Sequence, residues 1–117
     1  MASQRPFGAN KPVKGGFIVL VTAQIGAGQM PKFKELFAPL AAHVATNEEG
    51  CYAYELAVSG DNPDKFIIYE RYKDKEYVEQ VHWQSGPFKA FQEACKEAGI
   101  EWVEKSVVTY VEADVGF

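Results

Sequence analysis

No apolar run in the sequence approaches the roughly 20 residues that a membrane-spanning helix requires, and no charged-then-apolar leader opens it. A cytoplasmic protein that does not enter a membrane is expected. There is no excess of positive charge either. Lys plus Arg number 12 against 16 Asp plus Glu, a net charge of -4. Nucleic-acid binding draws on a basic face that displaces counterions, so it is not expected here. Cysteine and histidine are scarce, at two each. Cys51 and Cys95 stand far apart and in no metal-ligand spacing, so they read as two reduced thiols. No Ser-His-Asp, Cys-His or metal-ligand cluster appears. The one glycine-rich turn, "GAGQMP", carries Pro31 where a dinucleotide loop needs its third glycine, and no repeated βαβ surrounds it. No flavin, haem or metal motif is present, so no cofactor is expected.

Apolar and aromatic residues are plentiful. The 117 residues are 47% hydrophobic and 14% aromatic. That length suits one domain with one core. Residues 1–14 hold Pro6, Gly8, Pro12 and three basic residues with no acid, and read as a flexible N-terminal arm. The domain proper is expected over 15–117.

"FIVLVTAQI" (17–25) is β-branched and too short for a stable helix, so it reads as a strand buried on both faces. From Met30, apolar residues at Phe33, Leu36, Phe37, Leu40, Ala41 and Val44 form one helical stripe. Pro39 interrupts it and predicts a kink. "CYAYELAVS" (51–59) alternates, placing Tyr52, Tyr54, Leu56 and Val58 on one face. After the turn "GDNPD", "KFIIYERY" (65–72) places Phe66, Ile68, Glu70 and Tyr72 on one face. A second helix starts near 73–75 with the stripe Tyr77, Val78, Val81 and Ser85. Gly86-Pro87 breaks it, and Pro87 opens a third helix with Phe88, Phe91, Cys95 and Ala98 on one side. Gly99 suits its left-handed cap. "SVVTYVEA" (106–113) reads as the last strand.

The order β-α-β-β-α-β, with its second helix broken, is the split βαβ or ferredoxin-like plan, an α+β fold. Helices should cover one face of a four-stranded antiparallel sheet. The first and last strands are apolar on their other face too. A second copy of the same sheet is the economical cover, which predicts a homodimer.

These residues also resemble a family. "EEGCYAYEL" followed by "DKFIIYERYKDKEYVEQVHWQSGPFKAF" is similar to the antibiotic biosynthesis monooxygenase domain over about Gly16 to Glu112. The matching positions are Glu48 or Glu49, Gly50, Tyr54, Glu55, Phe66, Glu70, Tyr72, Asp74, His82, Ser85 and Phe88. The resemblance implies a dimeric α/β barrel. Relatives include quinol and anthrone monooxygenases, haem-degrading enzymes, a signalling-sugar isomerase and proteins without known activity. The haem-degrading ones carry a histidine ligand where this chain has Gln92, so haem degradation is not expected.

His82 lies about 70° from the centre of its helical stripe by the 3.6-residue period. From there it can lean into a pocket and accept a phenolic proton near neutral pH. It can equally be a half-buried histidine bonded to a backbone carbonyl. At the edge of a stripe, His82→Ala would cost about 1 kcal/mol or less. Glu70 shares a face with Ile68 and Tyr72. It either orients His82 or a substrate hydroxyl, or pairs with a cation at the strand end. Tyr54 and Tyr72, with Tyr52, can line a flat cavity, and Phe88 and Phe91 can close its apolar side. Trp83 falls opposite the stripe and reads as a surface or interface residue. His43 reads as a solvated surface histidine. The expected activity is a cofactor-independent monooxygenation of a small phenolic or quinol compound, with His82 as base, Glu70 as its orienter and the aromatics as walls. An isomerase of a small metabolite, or a non-catalytic stress-response or ligand-binding dimer, are the alternatives.

Overall fold

The structure, a computed structural model, describes residues 15–116. Residues 1–14, read above as a flexible arm, lie outside the described residues, as does Phe117. The elements run β1 (Phe17–Ile25), α1 (Met30–Asn47), β2 (Cys51–Val58), β3 (Lys65–Tyr72), α2 (Lys75–Tyr77), a π-helical turn (Val78–His82), α3 (Gly86–Glu97) and β4 (Trp102–Val111). The strands form one antiparallel sheet in the order β2-β3-β1-β4. The α+β ferredoxin-like plan is therefore as expected, and within one chain the sheet is open rather than closed into a barrel.

Alternation along the strands turns Val19, Ala23, Ile25, Phe66 and Ile68 toward the helices. Ala23, Ile25, Phe66 and Ile68 pack there with Phe33, Phe37 and Leu40 of α1 and Cys95 of α3, while Val19 packs with Tyr72 and Val78. Helix α1 continues through Pro39. That residue faces solvent, where water can take the carbonyl that its missing N–H leaves unbonded. Helix α3 ends as the sequence suggests. Gly99 has φ +71°, its N–H reaches the Lys96 carbonyl, and the Ile100 N–H reaches that of Cys95. This pair of bonds makes a Schellman cap, which asks for glycine at the left-handed position.

Two strand expectations need correction. Strand β4 begins at Trp102, four residues before Ser106. A register shift between Gln24 and Ile25 lets Ile25 pair with Trp102, so "WVEK" joins the ladder. Its charges hid it, because every residue of this edge strand is left exposed and alternation has little to report. The second correction concerns Tyr52. A bulge between Cys51 and Ala53 inserts one residue and breaks the alternation. Tyr52 falls in the bulge and stacks with the Arg71 guanidinium at 5.5 Å, away from the face that Tyr54 and Leu56 share with Glu70 and Ile68.

The chain enters β2 through Gly50. A Cβ there would lie 2.6 Å from ring carbons of Tyr77. Gly50→Ala should therefore destabilise by about 1–3 kcal/mol, the usual cost of overpacking. Urea unfolding checks it. Trimming the ring in a Gly50→Ala, Tyr77→Ala protein should remove the Gly50 penalty; equal penalties with and without the ring would show that the clash is not its cause.

Candidate active site

Between β3 and α3 the backbone takes an uncommon course. Asp74 caps the short α2, its carboxylate accepting the Tyr77 N–H at 2.8 Å. The chain then enters the π turn, where the Trp83 N–H donates to the Val78 carbonyl five residues back at 2.9 Å. A π turn holds an extra residue, so the inward face rotates relative to an α-helix. Val78 and His82 point inward, both 0% exposed, while Val81 is left 40% exposed. Val81, expected on the apolar stripe, is therefore off it, and two further expectations are corrected. His82 is fully buried rather than at the edge of a stripe, and Trp83 is half-buried against Val19, Tyr72 and Val78 rather than on the surface.

Buried polar groups converge around His82. Its Nδ1 lies 2.8 Å from Glu48 Oε1, and its Nε2 lies 3.9 Å from Glu70 Oε1. The Nε2 atom is buried without a hydrogen-bond partner. Rings of Tyr54, Phe88 and Tyr72 surround the imidazole at centroid distances of 5.0, 5.1 and 5.5 Å. Glu70 Oε1 accepts the Tyr72 hydroxyl at 2.5 Å. The other oxygen of Glu48 lies 3.2 Å from His43 Nε2, a close polar contact without aligned hydrogen-bond geometry. His43 is thus drawn to the buried carboxylate, with its side chain only 25% exposed, and is not the solvated residue expected.

The partner that orients His82 is therefore Glu48, and Glu70 stands on the other side of the ring. With Nδ1–H donated to Glu48, Nε2 carries the lone pair and is the basic atom. Burial holds the His82 pKa below its ordinary value, against the pull of Glu48. Burial also pushes the Glu70 carboxyl up to about 7; the Tyr72 hydroxyl opposes this and the Glu48 charge adds to it. Burial and the Glu70 charge raise Tyr54 and Tyr72 well above the ordinary phenol range, so both stay protonated. Cys51 and Cys95 are free thiols, pushed by burial to about 12 and about 11. They are inert as nucleophiles.

A cavity of about 480 Å³ opens between sheet and helices, and its wall includes Tyr54, Glu70, Trp83, Phe88, Phe91 and Trp102. Of the residues anticipated from sequence, Glu70, Tyr54, Phe88 and Phe91 line it. His82 and Tyr72 do not, since they stand behind Glu70 in the second layer of the wall. The described residues include no group of three His, Cys, Asp or Glu side chains that could hold a metal ion, and no described helix is long and apolar enough to cross a membrane.

Sequence reasoning assigned no role to Glu48 or Trp102 and misplaced His43 and Trp83. One signal was available for Glu48. It is the C-cap of α1, where the helix dipole favours a cation and disfavours a carboxylate. A residue placed against that preference is a candidate for function.

Residues 16–94 match the family described as antibiotic biosynthesis monooxygenase. Among solved structures, a protein of Nitrosomonas europaea named for the same family superposes with a TM-score of 0.77 at 18% identity, covering 89% of this chain and 96% of that one. A Caulobacter crescentus protein, also named for the family, gives 0.75 at 23% identity, covering 86% and 92%. A conserved protein of Methanosarcina mazei gives 0.72 at 23% identity, covering 82% and 91%. At these identities the likeness establishes the fold. No curated protein matches the chain in sequence.

Proposed function

The chain belongs to the antibiotic biosynthesis monooxygenase family, and from that premise we propose that it oxygenates a small phenolic or quinol compound without a cofactor. The observation that carries this reading is the cavity wall. An aromatic-lined pocket presents one carboxyl, Glu70, whose pKa is raised to about 7 by burial, backed at 3.9 Å by an imidazole nitrogen with no other partner. A phenol bound between Tyr54, Phe88 and Phe91 can place its hydroxyl on Glu70. The Glu70–His82 pair takes the proton, and Glu48 stabilises positive charge on His82 from the far side.

Proton removal is the step the substrate needs. Dioxygen in its ground state reacts slowly with closed-shell organics, but an electron-rich phenolate can give it one electron. Recombination of the two radicals forms a C–O bond at a ring C–H ortho or para to the phenolate oxygen, and the proton held by the Glu70–His82 pair completes a hydroperoxide on a carbon that keeps its hydrogen. Loss of water then leaves a carbonyl, and the substrate has supplied both electrons that reduce the second oxygen atom. The protein's own work is to bind the ring, remove and hold the proton, and keep water from the anion.

Oxygen consumption with a naphthoquinol, measured against autoxidation without protein, tests the reading. A protein-dependent rate is expected. Isomerisation of a small metabolite would use the same proton-moving pair without oxygen uptake, so rates equal to autoxidation across a panel of quinols would overturn the oxygenase.

We also propose that the protein acts as a homodimer joined through its sheets, in the cytoplasm, with residues 1–14 as an appended arm. The support for the dimer is the sheet face away from the helices. Val108 and Tyr110 lie there in register with Leu20 and Ile18, and Ile67 lies opposite Thr22; Tyr110 is 52% exposed. An apolar face of this kind is unusual on a monomer. Light scattering at micromolar concentration should give twice 13.0 kDa; a mass of one chain there would remove the dimer.

A further inference from the structure

The cavity has two chemically different ends. At one end stand Glu70 and, behind it, His82 and Glu48. At the other, Lys105 joins the lining together with Trp102. The Lys105 ammonium lies 4.7 Å from the centre of the Trp102 ring. Among the described residues it has no carboxylate within ion-pair distance, whereas its strand neighbour Glu104 is taken by Lys65. A cation held over an indole face at the rim of an aromatic cavity is placed to receive an anion.

Sheet register sets the spacing of the two ends. Glu70 pairs with Val19 and Phe66 with Ala23 on β1, while Ala23 pairs with Lys105 on β4. Two strand spacings across and four residues along put the Glu70 and Lys105 backbones roughly 16 Å apart. Side chains reaching in from both ends leave a gap on the order of two fused rings with their substituents. Its walls are Trp83, Phe88, Phe91 and Trp102. Orientation follows from charge, since an anion is repelled at the Glu70–Glu48 end and attracted at the Lys105 end.

We propose that the ligand is a fused-ring aromatic hydroxy acid, with its hydroxyl on Glu70 and its carboxylate on Lys105. This rests on the reading of the cavity as a phenol site and adds the anionic end to it. Overall charge works against the preference, because the chain carries -4; a preference for an anion must then come from a local group.

The test uses the chain's own fluorescence. It has two tryptophans, Trp83 and Trp102, and both line this cavity, so quenching reports occupancy directly. The probes are 6-hydroxy-2-naphthoate and 2-naphthol, titrated at neutral pH into the wild-type, Lys105→Gln and Lys105→Glu proteins. Wild type should bind the naphthoate about tenfold or more tightly than the naphthol. Lys105→Gln should remove that difference and leave 2-naphthol binding unchanged, and Lys105→Glu should reverse it. Equal affinities in wild type, or a preference that survives Lys105→Gln, would overturn the anionic end while leaving the phenol site standing. Binding of neither probe would overturn both.

Discussion

A His82→Asn protein is expected to fold and to lose about 10²-fold or more of its kcat/KM toward an active quinol, the usual scale for a proton-transfer group. The asparagine amide can occupy the place of Nδ1 and continue to donate to Glu48, while Nε2 is gone. His82→Ala is the less informative variant. The imidazole is 0% exposed and its partner Glu48 is 4% exposed, so alanine leaves both a cavity and a buried carboxylate without its donor. The expected cost is about 3 kcal/mol or more, well above the 1 kcal/mol that a position at the edge of a stripe would imply. Oxygen uptake and urea unfolding, measured on both variants, separate the two effects. A stable His82→Asn protein with undiminished turnover would sink the proton-handling role of this histidine.

Stability should fall as pH rises toward neutrality, and Glu70 should be the cause. Its pKa in the folded chain is about 7 against an ordinary 4.5, so folding favours the protonated carboxyl. The stabilisation is complete below 4.5 and is lost as pH climbs through 7. A shift of this size corresponds to about 3 kcal/mol, or on the order of 10 °C in Tm for a domain of this length. His82 works in the opposite direction. Its pKa is held below the ordinary 6.5 by burial, so its neutral form is favoured, and that contribution is lost as pH drops below 6.5 through the lowered value. Glu70→Gln removes the first effect and can still accept the Tyr72 hydroxyl. Melting curves at pH 5, 6, 7 and 8 should show the wild type losing stability toward pH 8 and the variant losing little. Parallel curves would mean that Glu70 is not the group responsible. Activity should move the other way, because only the ionised carboxyl accepts a proton. The wild-type rate should rise through pH 7 as stability falls, so the burial that makes Glu70 a matched base is the same burial that costs stability.

Much of this protein could be read from its residues alone. Period-two alternation in 51–58 and 65–72, the apolar stripe of α1, Pro87 at the start of α3 and Gly99 at its end report local backbone preferences, and these survive folding unchanged. Together they specify the ferredoxin-like order of elements. They also place Tyr54, Glu70, Phe88 and Phe91 toward one cavity, because a strand or regular helix carries its side-chain directions with it. What local preference does not contain, only the tertiary structure decided. The π turn rotates His82 and Trp83 inward, and the bulge sends Tyr52 away; each inserts one residue into a periodic element and re-aims the side chains there. The extension of β4 to Trp102 depends on pairing with β1, since an edge strand exposed along its length has little alternation to read. The union of Glu48 with His82, 34 positions apart, depends on the end of α1 meeting the π turn over the sheet. Sequence periodicity reports which way a residue faces along its own element, and a contact between distant elements is fixed only when the core brings them together.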